Sequence, residues 1–342
     1  MLYSCDGSYE EKDGKFYFDG REIDNKNLRI LNRDFAKDCT TVYFQMQDIG
    51  ADAETFVALD YAFGKDCQKV YYCDTEHYGW IYEKKTINID TLRKVDAPSY
   101  RYLRFDYGKD KNRAFYKNKS FSVEDVASFQ VITPDFTRDY KRAYYKMKMV
   151  DKSDGQTFTM IDEHYASDKS KIYLYDKSDV YILPCSTKGF KVLKSPFCKD
   201  YKSVIYNRTV IYGADPASFV AFGNGYSRDR SQVFFATESI KEADLSSFKI
   251  FEGDEDNDRP SFYAYDKYSV FWANKVLKGA NPKSFWVIGS GYATDSSQIY
   301  YGAQIVKGAD VKTFKPSSHF DKHTDASDTA YTYLKGRRVQ QL

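Results

Sequence analysis

Residues 292–301 run Tyr292-Ala293-Thr294-Asp295-Ser296-Ser297-Gln298-Ile299-Tyr300-Tyr301, and the spacing inside this stretch governs most of the chain. An aromatic residue stands three places before an aspartate, a β-branched residue stands four places after it, and two large apolar residues follow. The same register recurs at Asp38, Asp66, Asp110, Asp139, Asp168, Asp200, Asp229, Asp266 and Asp295, in steps of 28, 44, 29, 29, 32, 29, 37 and 29 residues. The preceding aromatic is Phe35, Phe63, Tyr107, Phe136, Tyr165, Phe197, Tyr226, Tyr263 or Tyr292. The small or β-branched position holds Val42, Val70, Ala114, Ala143, Ile172, Val204, Val233, Val270 or Ile299, with apolar pairs such as Tyr43-Phe44, Phe115-Tyr116 and Phe271-Trp272 behind it. Features that recur in phase are the signature of tandem repeats, here with a period of about 29 residues.

A second block follows in several copies: Ala51-Asp52 with Phe56, Ala214-Asp215 with Phe219, Ala243-Asp244 with Phe248, Ala280-Asn281 with Phe285, and Ala309-Asp310 with Phe314. An Asp or Asn, a short polar stretch and a Ser or Thr before the Phe predict a capped single turn that delivers the ring to the core. One repeat is therefore an aromatic strand ending at Asp, a turn, a strand such as Ile299-Tyr300-Tyr301, a second turn, a short strand, the capped turn and a closing strand. That is an antiparallel β-meander. Meanders this small cannot bury their own aromatic face and must stack. The expected fold is all-β, with about ten repeats in an elongated or curved array, since that number exceeds the four to eight blades usual for a closed propeller. The array is expected over residues 35–316. Residues 1–34 and 317–342 look like worn copies that cap it, the first keeping Phe16-Tyr17-Phe18 and the second Tyr331, Tyr333 and Gly336.

The stretch Asp110-Lys111-Asn112-Arg113-Ala114-Phe115-Tyr116, together with the Ala-Asp blocks, resembles the bacterial DKNYY repeat family. Most copies keep the Asp and lose the Lys-Asn, and those around Asp66, Asp139 and Asp168 lose the Ala-Asp block. The resemblance implies no catalytic residue. It implies envelope proteins or neutralising partners of secreted toxins, hence a noncatalytic protein-binding scaffold, of which an immunity-type inhibitor is the most concrete form. An envelope-associated structural or glycan-binding protein is the alternative.

The composition agrees with a β-rich, chemically quiet chain. Aromatics make up 18% with 32 Tyr and 25 Phe, which favours strands. Lys+Arg number 51 against 49 Asp+Glu, a balance that argues against a nucleic-acid partner. No apolar run of transmembrane length occurs. As the sequence stands it is expected in the cytoplasm as a monomer. Leu2-Tyr3-Ser4-Cys5 resembles the end of a lipoprotein signal, and a trimmed leader would instead make the protein periplasmic or lipid-anchored through Cys5. The six cysteines include Cys39 and Cys67 at matching places, which predicts small buried fillers of a repeated slot.

No cofactor or metal is expected. Nine phased aspartates are better explained as acceptors for turn amides than as catalytic groups, because a catalytic group is needed once. His319 and His323 flank Asp321, but in a polar loop. Gly223-Asn224-Gly225 and Gly289-Ser290-Gly291 fall at one place in two repeats and predict inter-strand turns. The candidate partner contacts lie where the repeat is interrupted. One set is Trp80, Arg93, Tyr100, Arg101, Tyr102 and Arg104, rich in the Tyr, Trp and Arg of binding hot spots. The competing reading makes residues 100–105 an ordinary half-buried strand. The other set is the acidic loop Asp254, Glu255, Asp256 and Asp258, whose Arg259 departs from a calcium loop's Gly.

Overall fold

A computed structural model describes residues 7–78, 84–251, 261–317 and 323–341. Their regular structure is β throughout, apart from one 3-10 turn at Ala97–Ser99. The chain forms two compact units, Met1–Lys169 with Tyr175–Val180, and Ser170–Leu174 with Tyr181–Leu342.

Each unit is a series of small meanders whose strands pair in chain order. In the first unit they are a three-stranded sheet over Tyr9–Ile23 and four-stranded sheets over 29–48, 57–91, 101–121 and 130–149, followed by the pair Thr159–Met160 and Tyr165–Ser167. In the second they span 191–210, 220–239, 249–276, 286–305 and 315–341. Each sheet that carries the repeating aromatic thus starts one strand before it. The division expected at 34/35 therefore falls inside a sheet, and so does that at 316/317. The C-terminal segment is a complete meander whose own aspartate is Asp328, with Asp325 where other copies carry an aromatic.

The core lies between successive meanders. Within a sheet the aromatic before each Asp stacks on its cross-strand partner, as in Phe35–Phe44 at 5.0 Å, Phe63–Tyr72 at 5.0 Å and Tyr292–Tyr301 at 4.8 Å between ring centroids. The ring of the capped turn then bridges to the next repeat. Phe56 touches Phe35 and Tyr71, Phe248 touches Tyr226 and Phe271, and Phe314 touches Tyr292 and Tyr333. Aromatic pairs of this kind contribute roughly 0.5–1.5 kcal/mol beyond their burial.

One small residue per repeat makes this approach possible. The position two before the Asp is Ala36, Gly64, Gly108, Thr137, Ala166, Cys198, Ser227, Ala264, Ala293 or Ala326, and is small in every copy. At Gly64 a Cβ would stand 2.2 Å from Cζ of Phe56, and at Gly108 it would stand 2.2 Å from the Tyr100 hydroxyl. Cys39 and Cys67 do not fill this slot. They follow the Asp as the first turn residue and are exposed, while the buried thiols are Cys73 and Cys198. The expected glycine turns are present, with Gly223, Asn224 and Gly225 all at positive φ beside a bulge.

Candidate functional site

The repeating aspartates form one device, used over and over. In Asp38, Asp66, Asp110, Asp139, Asp200, Asp229, Asp266, Asp295 and Asp328, Oδ1 accepts the amides two and three residues later at 2.6–3.0 Å. The other oxygen reaches back to the preceding capped turn. Oδ2 accepts the amide of Asp52 in Asp66, of Asp96 in Asp110, of Asp154 in Asp168, of Asp215 in Asp229 and of Asn281 in Asp295. Where the fifth residue on is Tyr, its hydroxyl donates to Oδ2 as well, as Tyr71 does to Asp66 at 2.8 Å and Tyr333 to Asp328 at 2.6 Å.

The capped turn returns the connection. The carboxylate of Asp96, Asp125, Asp154 or Asp215 holds the hydroxyl of Ser99, Ser128, Thr157 or Ser218, and that hydroxyl accepts the amide just after the next repeat's Asp. Where a cation precedes the repeating Asp, it closes the other end of the turn. Lys65 Nζ donates to the carbonyls of Ala97 and Tyr100, Lys109 Nζ to those of Val126, Ala127 and Phe129, and Arg138 Nη1 to that of Phe158.

The second block is therefore not lost around Asp66, Asp139 and Asp168, where Asp96 with Tyr100, Asp154 with Phe158 and Ser186 with Phe190 stand in its place. The amide of Ser186 donates to Asp200 at 2.6 Å. Its working part is the acceptor side chain and the ring four residues on, with no requirement for the alanine.

Burial tends to lift these carboxyls, but the donors outweigh it. Asp66, Asp139, Asp229 and Asp295 are all held below the usual carboxylate range. Asp328 stands at about 2, where burial is overcome by the Tyr333 hydroxyl and the amides of Asp310, Ala330 and Tyr331. These carboxylates are saturated acceptors. Among the described residues no group of three His, Cys, Asp or Glu side chains is placed to hold a metal ion.

The candidate contacts divide sharply. Tyr100 is 1% exposed and occupies the bridging-ring position, stacked edgewise on Phe115. Tyr102 packs on Phe63 at 5.0 Å, and Arg104 Nη2 donates to the carbonyls of Val131 and Ile132 in the following repeat. Arg101–Arg104 is the first strand of a standard meander, paired with Tyr107–Lys109. Tyr102 is half-buried within that strand, whereas Tyr100 precedes the strand and is fully buried, and Arg104 is exposed with its guanidinium engaged. Arg93 and Arg101 are exposed. Trp80, the acidic loop Asp254, Glu255, Asp256 and Asp258, Cys5, His319 and Asp321 lie outside the described residues.

What lengthens the step from Asp66 to Asp110 is an extension of the third and fourth strands. Val70–Tyr78 pairs with Lys84–Thr91 from Tyr71↔Thr91 to Tyr78↔Lys84. Other exposed features are tyrosines of the Asp turns, Tyr140, Tyr201 and Tyr268. Lysine ammonium groups lie over two of them, Lys202 over Tyr201 and Lys267 over Tyr268, at 5.2 and 4.7 Å.

A family model described as the DKNYY family matches residues 2–75, 50–177 and 197–337. No curated protein and no solved structure matches the chain.

Proposed function

Since the chain belongs to the DKNYY family, we propose that it is a noncatalytic repeat scaffold that binds another protein, in the manner of an immunity-type inhibitor that caps a secreted toxin. The observation that carries this is the fate of the repeating polar groups. The aspartates, the turn hydroxyls and the half-buried cations before them are consumed by hydrogen bonds to neighbouring backbone, so they serve the fold. Polar chemistry free to meet a partner is left to the interruptions, chiefly the extended strand pair and the arginines near it. A near-neutral net charge of +2 fits a protein partner better than a nucleic acid.

The test is co-expression with each secreted protein that the flanking genes encode. A stable one-to-one complex by light scattering, with the toxicity of that protein suppressed, is expected. Unsuppressed toxicity and two separately eluting proteins would overturn the proposal. The exposed rings of Tyr140, Tyr201 and Tyr268 favour a second reading, glycan binding at the turns, because sugars stack on exposed aromatic faces. Retention on an immobilised envelope polysaccharide, abolished by Ala at these three positions, would select it.

A further inference from the structure

We infer that the outer edge of Lys84–Thr91 is a docking site for an extended, acidic segment of a partner protein, which adds to the sheet as a fifth strand. The inference deepens the protein-binding proposal and rests on it. The sheet runs in the order Lys84–Thr91, Val70–Tyr78, Phe63–Lys65, Val57–Ala58, so Lys84–Thr91 is its terminal strand. Fourth strands elsewhere are two or three residues long, except Arg337–Gln341 in the last sheet, whereas this one has eight. Short edge strands are how sheets avoid recruiting other chains, and a long one is a template for strand addition.

The register shows which backbone groups are on offer. The amide of Leu92 donates to the carbonyl of Val70, so Leu92 and, at alternate positions, Asp90, Asn88 and Thr86 turn their backbone inward to the neighbouring strand. Ile87, Ile89 and Thr91 then turn N–H and C=O outward, where no strand among the described residues meets them. The edge is held ready. Ile87 and Ile89 pack on the cluster of Phe35, Phe44 and Tyr71. Thr75 Oγ1 donates to Gln45 Oε1 at 3.2 Å, which ties the pair to the preceding repeat. A strand already ordered spares a ligand that entropy on binding.

Charge names the occupant. Lys84 and Lys85 stand at one end of the strand in sequence, and Arg93 and Lys94, both exposed, stand just past the other. The one acid between them, Asp90, accepts a hydrogen bond from Asn118 Nδ2 of the next repeat at 2.7 Å. An approaching strand therefore meets the exposed cations Arg93 and Lys94 at the end beyond Thr91, which a segment carrying Glu or Asp there complements.

The test uses the full chain and an acetylated, amidated octapeptide that alternates Val with Glu, with a Val–Lys peptide as control. Hydrogen exchange at single-residue resolution is the readout. The Glu peptide should slow exchange at Ile87, Ile89 and Thr91 without changing the already slow Asn88 and Asp90, and the Lys peptide should do so far less. Thr91→Pro removes one outward N–H and leaves the inward ladder intact. It should weaken peptide binding several-fold at unchanged melting temperature, as should Arg93→Glu with Lys94→Glu. Failure of the Glu peptide to protect the outward amides overturns the inference. So does inorganic polyphosphate displacing it fully in every variant, which would mark a plain anion site. A dimer in which those amides are protected without peptide would make a second copy the occupant and also overturn it. A complex with the secreted partner in which Ile87, Ile89 and Thr91 still exchange freely sinks the edge alone and leaves the scaffold proposal standing.

Discussion

Single positions carry opposite tolerances even where they are structurally equivalent, and the slot two residues before the Asp shows it. Gly64 lies under the Phe56 ring, and Gly64→Ala would force a methyl into 2.2 Å contact. Overpacking of this kind costs about 1–3 kcal/mol. Ser227 occupies the same slot with a buried hydroxyl that has no partner. Ser227→Ala should therefore be neutral or stabilise by up to about 1 kcal/mol, since it removes an unsatisfied polar group. Urea denaturation of the two variants checks the pair, and the expectation fails if both move in the same direction. The slot was open to sequence reading, because a run of Ala, Gly, Ser and Cys recurs in phase, yet small residues attract no notice beside aromatics. Cys39 and Cys67 misled for a related reason. Matching places imply matching environments, but the environment here is the exposed start of a turn.

Among the elements, the capped turn does the most to join one meander to the next, and it was legible in the sequence only in the copies that keep Ala-Asp and Phe. The repeating Asp stands out because three features keep step with it. In the other copies the turn hides because its commonest mark is an acceptor and a hydroxyl three residues apart, Asp96 with Ser99 or Asp154 with Thr157, whose partners arrive many residues later. Tyr100 admits both a contact and a strand reading in the sequence because the bridging ring is Phe in most copies. The cation that precedes the Asp in six copies, from Lys37 to Arg228, gave no signal at all, since its acceptors are backbone carbonyls, about 35 residues on in the case of Lys65 and Tyr100. Lys65→Met keeps the stem and removes the donors, and should cost about 1–2 kcal/mol through loss of charged hydrogen bonds. Thermal unfolding measures it, and an unchanged midpoint would assign the turn's stability to the rings alone. The interruption after Asp66 is visible as a break in the spacing, but its form as a lengthened strand pair is not, because no phased copy elsewhere has a fourth strand long enough to compare with 84–91.

For the molecule as a whole, many depressed carboxylates acting together should set its response to acid. Their folded values lie below the usual carboxylate value of about 3.9. Each contribution is therefore present above that value and is lost as pH falls through the folded one. Asp328 stands at about 2, and Asp66, Asp139, Asp229 and Asp295 are shifted the same way. The melting temperature should hold steady down to about pH 4 and then fall steeply toward about pH 2. Chelators should leave the neutral-pH melting temperature unchanged, because the acceptors are filled by amides. A protein that keeps its midpoint at pH 2 would show that the carboxylates are not what holds the meanders together.

The backward reach of each Asp also has a direction in time. The amide of Asp52 waits for Asp66, that of Asp96 for Asp110 and that of Asp215 for Asp229, each acceptor 14 residues later in the chain. A ribosome delivers those residues in that order, so every repeat leaves the exit tunnel with one open donor that only its successor can close. Synthesis then works as a zipper with a single moving end, in which the newest meander seals the one before it and the exposed aromatic face is never more than about one repeat wide.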